Sequence, residues 1–110
     1  MNTRYMAPLA FAAALALTAF AAQADDASTL AAMDKAGCMA CHTKDKKLVG
    51  PSFKDIAVKY KGQADAPAKL ADKVRKGGSG VFGPVPMAPN PPDKINDAYL
   101  KAAIELILKS

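Results

Sequence analysis

Cys38-Met39-Ala40-Cys41-His42 decides how the rest of this 110-residue chain is read. Two thiols separated by two residues, with a histidine directly after the second, form the C-x-x-C-H pattern of covalent haem attachment. At that spacing each thiol can add to one vinyl group on a porphyrin edge. His42 can then reach the iron from the proximal side. Thioether bonds make the group permanent, which suits a small carrier that would otherwise lose it. Cys38 and Cys41 are the only two Cys and His42 is the only His. A closed zinc site therefore lacks its fourth ligand. A thioredoxin-like redox pair normally sits in a βαβ pattern, and no strand precedes Cys38. A disulfide across two residues would constrain the unfolded chain little. One haem c with its iron, attached through Cys38 and Cys41, is the expected cofactor.

Upstream, residues 1–24 read as a secretory signal peptide. Arg4 and the amino terminus supply a weak positive charge, an apolar run follows, and Ala22-Gln23-Ala24 is a small-x-small cleavage site before Asp25-Asp26. The run is short for a membrane span of about 20 apolar residues, so no stable membrane insertion is expected after cleavage. The mature chain, residues 25–110, is one domain, expected in the periplasm. A domain of that size buries little surface without a staple or cofactor, and there is no Trp to fill a core. The net charge is +5, and cleavage removes only Arg4 from it. No basic run with interleaved aromatics points to nucleic acid. A mild positive excess fits steering toward an acidic protein partner.

Downstream, the periodicity predicts an all-α chain. A first helix spans residues 28–35, capped by Asp26 or Ser28, with Leu30 and Met33 on one face. Residues 43–51 are a polar, Lys-rich loop. A short helix over residues 52–60 turns Phe53, Ile56, Ala57 and Tyr60 inward. A third helix spans residues 66–76, with Pro67 in its first turn and Gly77 at its end. A last helix over residues 96–109, capped by Asn96 or Asp93, carries an apolar stripe from Leu100 to Leu108. The first and last helices are expected to cross, Leu30 and Met33 against that stripe. Residues 77–92 are too rich in Gly and Pro for any helix or central strand. Val81, Phe82, Val85 and Met87 make this loop too apolar for a linker, so it should lie against something hydrophobic.

The iron's second axial ligand must come from a methionine, because no other His exists. Met39 lies inside the attachment motif and cannot reach the other face. Met33 reads as core packing. Met87, in the loop that Pro84, Pro86 and Pro89 stiffen, is the candidate. A Met/His pair leaves no open coordination position and raises the reduction potential. Both effects favour electron transfer over catalysis, so the chain is read as a carrier and not an enzyme. The alternative is a haem enzyme or sensor with an open sixth position.

The attachment motif, Val49-Gly50-Pro51-Ser52-Phe53, and residues 80–90 together resemble the small bacterial class I c-type cytochromes of the c-551/c-552 type, over essentially the whole mature chain. The resemblance implies a class I cytochrome c fold, with about four short helices and the Pro-rich loop enclosing one haem c. It implies that the Pro51 carbonyl orients His42, and that Asn90 hydrogen-bonds near the Met87 sulfur and tunes it. It implies a periplasmic monomer shuttling electrons to redox partners such as nitrite reductase, a terminal oxidase or a cytochrome bc complex. Many such proteins carry a Trp where this chain has Phe82, and its indole N–H serves a haem propionate. Phe82 cannot donate, so Lys73 or Arg75 is expected there. Leu106 also stands where relatives often have Trp. Lys35, Lys44, Lys46, Lys47, Lys73, Arg75 and Lys76 are expected as a positive ring around the haem edge.

Overall fold

The computed structural model describes residues 25–110; the signal peptide expected at residues 1–24 lies outside them. Among the described residues there are four α-helices: α1 (Asp26–Lys35), α2 (Phe53–Lys59), α3 (Ala66–Lys76) and α4 (Asp97–Leu108). A 3-10 turn at Cys38–Ala40 carries the first thiol. No strand forms among these residues; two isolated bridges, His42 with Lys47 and Gly78 with Met87, are the only β-type pairing there. No described helix is long and apolar enough to cross a membrane.

α4 is the hub, with α1, α2 and α3 all packing against it. Its Leu100, Ala103 and Ile104 meet Met33, Phe53, Ile56 and Leu70 in one cluster. Each of the larger side chains contributes about 1.5–3 kcal/mol by leaving water. Ile95, in the segment before α4, is also buried here; periodicity could not assign it, because it precedes the helix.

α1 begins two residues earlier than expected and its cap is Asp25. The Asp25 carboxylate accepts from the Ser28 backbone N–H at 2.7 Å, satisfying an orphan amide of the first turn. Asp26 is thereby freed to be the first helical residue. The expected packing of Leu30 is also corrected. Thr29 and Met33, four apart, face the core, while Leu30 is 40% exposed. Once Met33 points at α4, the residue above it one turn back is position 29.

The start of α2 locks the attachment segment in place. Ser52 caps it, its Oγ accepting from the Asp55 N–H at 3.0 Å. The Phe53 and Lys54 N–H groups, without partners inside the helix, donate to the Thr43 and Lys44 carbonyls at 2.9 and 3.1 Å. The residues just after His42 are thus tied to a helix terminus. α3 has the expected bounds. Gly77 ends it at φ 67° and ψ −152°, a conformation open to glycine and strained for other residues. A Cβ at this position would also overlap the Met87 carbonyl oxygen. α4 is capped by Asn96, which accepts from the Tyr99 N–H at 2.9 Å.

Candidate functional site

A cavity of about 420 Å³ opens between the attachment segment and the Pro-rich loop. Cys38, Cys41, His42, Gly50 and Pro51 line one part of it, and Val81, Phe82, Val85 and Met87 another. Core residues Phe53, Leu70 and Leu100 form its floor. The apolar loop residues expected to lie against something hydrophobic therefore line this cavity, while Val81 and Phe82 remain 40% exposed.

His42 is held from several directions. Its Nδ1 lies 2.7 Å from the Pro51 carbonyl oxygen. A carbonyl can only accept, so Nδ1 carries the proton and Nε2 keeps its lone pair in the neutral ring. Phe53 stacks on the imidazole, with centroids 5.6 Å apart and planes at 21°. Gly50 lies against the ring as well: a Cβ there would stand 2.5 Å from His42 Cε1. The Gly50 N–H donates to the Cys41 carbonyl at 2.8 Å. Sequence spacing gave no sign of the Gly50 contact, because it depends on how the loop folds back.

Cys38 and Cys41 are both free thiols and half-buried. Burial pushes the Cys38 thiol above its ordinary pKa, with the Cys41 charge adding to the shift and Lys94 opposing it.

Met87 is half-buried and its backbone is clamped. Gly78 and Met87 exchange both N–H to carbonyl bonds at 2.9 Å. Met33 also touches the cavity, but it is 1% exposed within the core cluster. Met39 packs on that cluster and does not line the cavity. Asn90 differs from expectation. Its amide donates to the Val74 carbonyl of α3 at 3.3 Å and to the Ala88 carbonyl of the loop at 3.0 Å, so both hydrogens serve backbone carbonyls and none is given to the Met87 sulfur. Its backbone N–H also reaches Val74 O, at 3.0 Å.

The expected positive ring is smaller than the sequence suggested. Lys47 and Lys73 line the cavity. Arg75 is turned away to Asp97 and two backbone carbonyls. Lys76 pairs with Asp72 at 2.8 Å on the α3 surface. Lys59, not foreseen, sits 5.4 Å from the Phe82 ring centroid, a cation–π contact between α2 and the loop.

The cytochrome c family model matches residues 24–110. The chain belongs to the cytochrome c family. It is 57% identical over 76 residues to cytochrome c2 of Rubrivivax gelatinosus, covering 69% of this chain and 89% of that protein. It is 47% identical over 98 residues to cytochrome c-552 of Nitrosomonas europaea, covering 89% of each. The crystal structure of wild-type cytochrome c552 from that organism superposes with a TM-score of 0.66 at 44% identity, covering 73% of this chain and 96% of that one. This is the all-α class I cytochrome c fold, and the chain is an electron carrier with one haem c.

The residues present fit that group. In this cytochrome c, Cys38 and Cys41 are the pair that binds haem c covalently, and both border the cavity. The cavity is predominantly apolar, as a porphyrin face requires. Any side chain at position 50 would overlap the His42 ring. Lys47 and Lys73 also border the cavity.

Proposed function

We propose that this cytochrome c is a periplasmic single-electron carrier, not an enzyme, in which His42 and Met87 would ligate the haem iron. The observation that carries the reading is that one cavity brings together a histidine with its Nε2 lone pair free and a methionine on a clamped loop. The bound haem supplies a one-electron ferrous–ferric couple. Pro51 fixes the tautomer and orientation of His42, which raises its basicity as a ligand. The Met87 thioether, paired with an imidazole, raises the reduction potential and leaves no open position for substrate. Phe53, Leu70 and the loop residues exclude water and keep the potential high. Lys73, which borders the cavity, would meet a haem propionate in place of the contact Phe82 cannot make, because Arg75 is committed elsewhere.

Export supports the same reading. Residues 1–24 carry a signal-peptide pattern, and we assign the mature monomer to residues 25–110. Its partners are redox proteins with an acidic rim, of the kind of a nitrite reductase, a terminal oxidase or a cytochrome bc complex. Val81, Phe82 and Val85 offer the apolar contact, and Lys47, Lys59 and Lys73 the charge.

The test is the absorption spectrum of the ferric protein. The far-red band of sulfur-ligated iron is expected in the wild type, absent in Met87→Ala and retained in Met33→Leu. Survival of the band in Met87→Ala, or rapid cyanide binding by the wild type at neutral pH, overturns the ligation. Intact mass of the periplasmic protein should equal residues 25–110 plus one haem.

A further inference from the structure

Arg75 makes more polar contacts than any other cationic side chain among the described residues, and electron carriage does not by itself call for them. Its Nη1 donates to the carbonyl oxygens of Asn90 at 3.0 Å and Ile95 at 2.7 Å, and its Nη2 to Asp97 Oδ1 at 2.6 Å. The arginine side chain is 20% exposed and the Asp97 side chain 93% exposed. The ion pair is therefore largely in water and contributes little. The two carbonyl bonds are charge-assisted and shielded. No backbone N–H serves either carbonyl among the described residues, so removing the guanidinium would leave both without a protein partner.

Those carbonyls bracket the segment that returns from Met87 to α4. Residue 90 is gripped twice by the last turn of α3: the Val74 carbonyl accepts from the Asn90 amides, and Arg75 donates to its carbonyl. Residue 95 anchors the other end, next to the cap of α4. A single nitrogen, Nη1, joins both carbonyls, and the planar guanidinium holds it in place while Nη2 meets Asp97; a lysine ammonium is a mobile point charge on a flexible stem.

We propose that Arg75 is a positioning residue for Met87, fixing the far end of the loop so that the thioether is held toward the cavity. This rests on the reading of Met87 as the second axial ligand. It separates Arg75 from a general stabiliser: loss of the fork releases the thioether before it unfolds the helices.

The test follows two signals in the ferric holoprotein on heating, the far-red sulfur band and helical circular dichroism. In Arg75→Leu the band is expected to bleach further below the helical transition than in the wild type. At a fixed temperature below unfolding, the bleached fraction should rise by about tenfold or more, as expected for losing two charge-assisted bonds. Arg75→Lys should widen the gap less, and Asp97→Asn, which removes only the exposed ion pair, should leave it as in the wild type. If Arg75→Leu and Arg75→Lys lower both transitions together with the gap unchanged, Arg75 is scaffold only and the proposal falls. If Arg75→Leu does not fold, Arg75→Lys decides by the same criterion. A wild type without the band would instead overturn the Met87 reading on which this one stands.

Discussion

At the scale of single residues, the site is made by close contacts around His42. Gly50 is the sharpest case. Its backbone is not in the left-handed region, so alanine is allowed there by conformation and tests the contact alone. The added Cβ would stand 2.5 Å from Cε1 and 2.9 Å from Nδ1 of His42. The ring has Phe53 stacked on it and cannot retreat freely. Gly50→Ala is expected to break the Nδ1 bond to Pro51 and to destabilise the fold by about 1–3 kcal/mol, the usual cost of overpacking. Denaturant unfolding would measure the loss, and the imidazole N–H proton in the NMR spectrum should exchange faster. An unchanged proton signal would mean that the loop yields instead of the ring.

Among the elements, α1 holds an uncompensated polar group at its contact with the core. Thr29 is 1% exposed, and its Oγ1 is buried with no hydrogen-bond partner. A buried hydroxyl without a partner costs about 1–3 kcal/mol. Valine has the same shape and similar helix propensity. Thr29→Val is therefore expected to raise the thermal midpoint, by the equivalent of about 1 kcal/mol or more, without altering the absorption spectrum. A lowered midpoint would show that the hydroxyl is satisfied in solution. The loop of residues 77–92 is the contrasting element. It has no helix of its own and is held by Gly78, by Asn90 and by Arg75 from α3, so its order depends on that helix.

For the whole molecule, the charge distribution matters more than the total. The sequence charge of +5 is not spread evenly around the cavity. Arg75 and Lys76 are paired with Asp97 and Asp72, whereas Lys47 and Lys73 border the cavity and Lys59 covers Phe82. Electron exchange with an acidic redox protein should slow as salt rises. Charge reversal at Lys47 and Lys59 together should lower the second-order rate by about tenfold or more at low ionic strength, converging with the wild type at high salt. Stopped-flow mixing with an acidic partner would read this. Reversal at Lys76 is the control and should change the rate little. Equal effects at all three positions would mean that net charge, not its placement, governs encounter.

The sequence by itself determined the attachment chemistry, the helices and the candidate ligands. Those rest on local rules: thiol spacing at Cys38 and Cys41, a cap residue at Asn96, a glycine stop at Gly77, an apolar period along α4. The tertiary structure decided which way each neighbour faces. Leu30 points outward and Thr29 inward, because Met33 sets the phase of α1 against α4. Asn90 spends its amide on Val74 and Ala88, and Arg75 leaves the haem side for the carbonyls of residues 90 and 95. Gly50 matters only because the loop folds onto His42. Such pairings join residues distant in the chain, through backbone carbonyls that every residue carries alike. Side-chain identity cannot encode which carbonyl is near; only the packing of α3 and the loop around α4 brings the partners together.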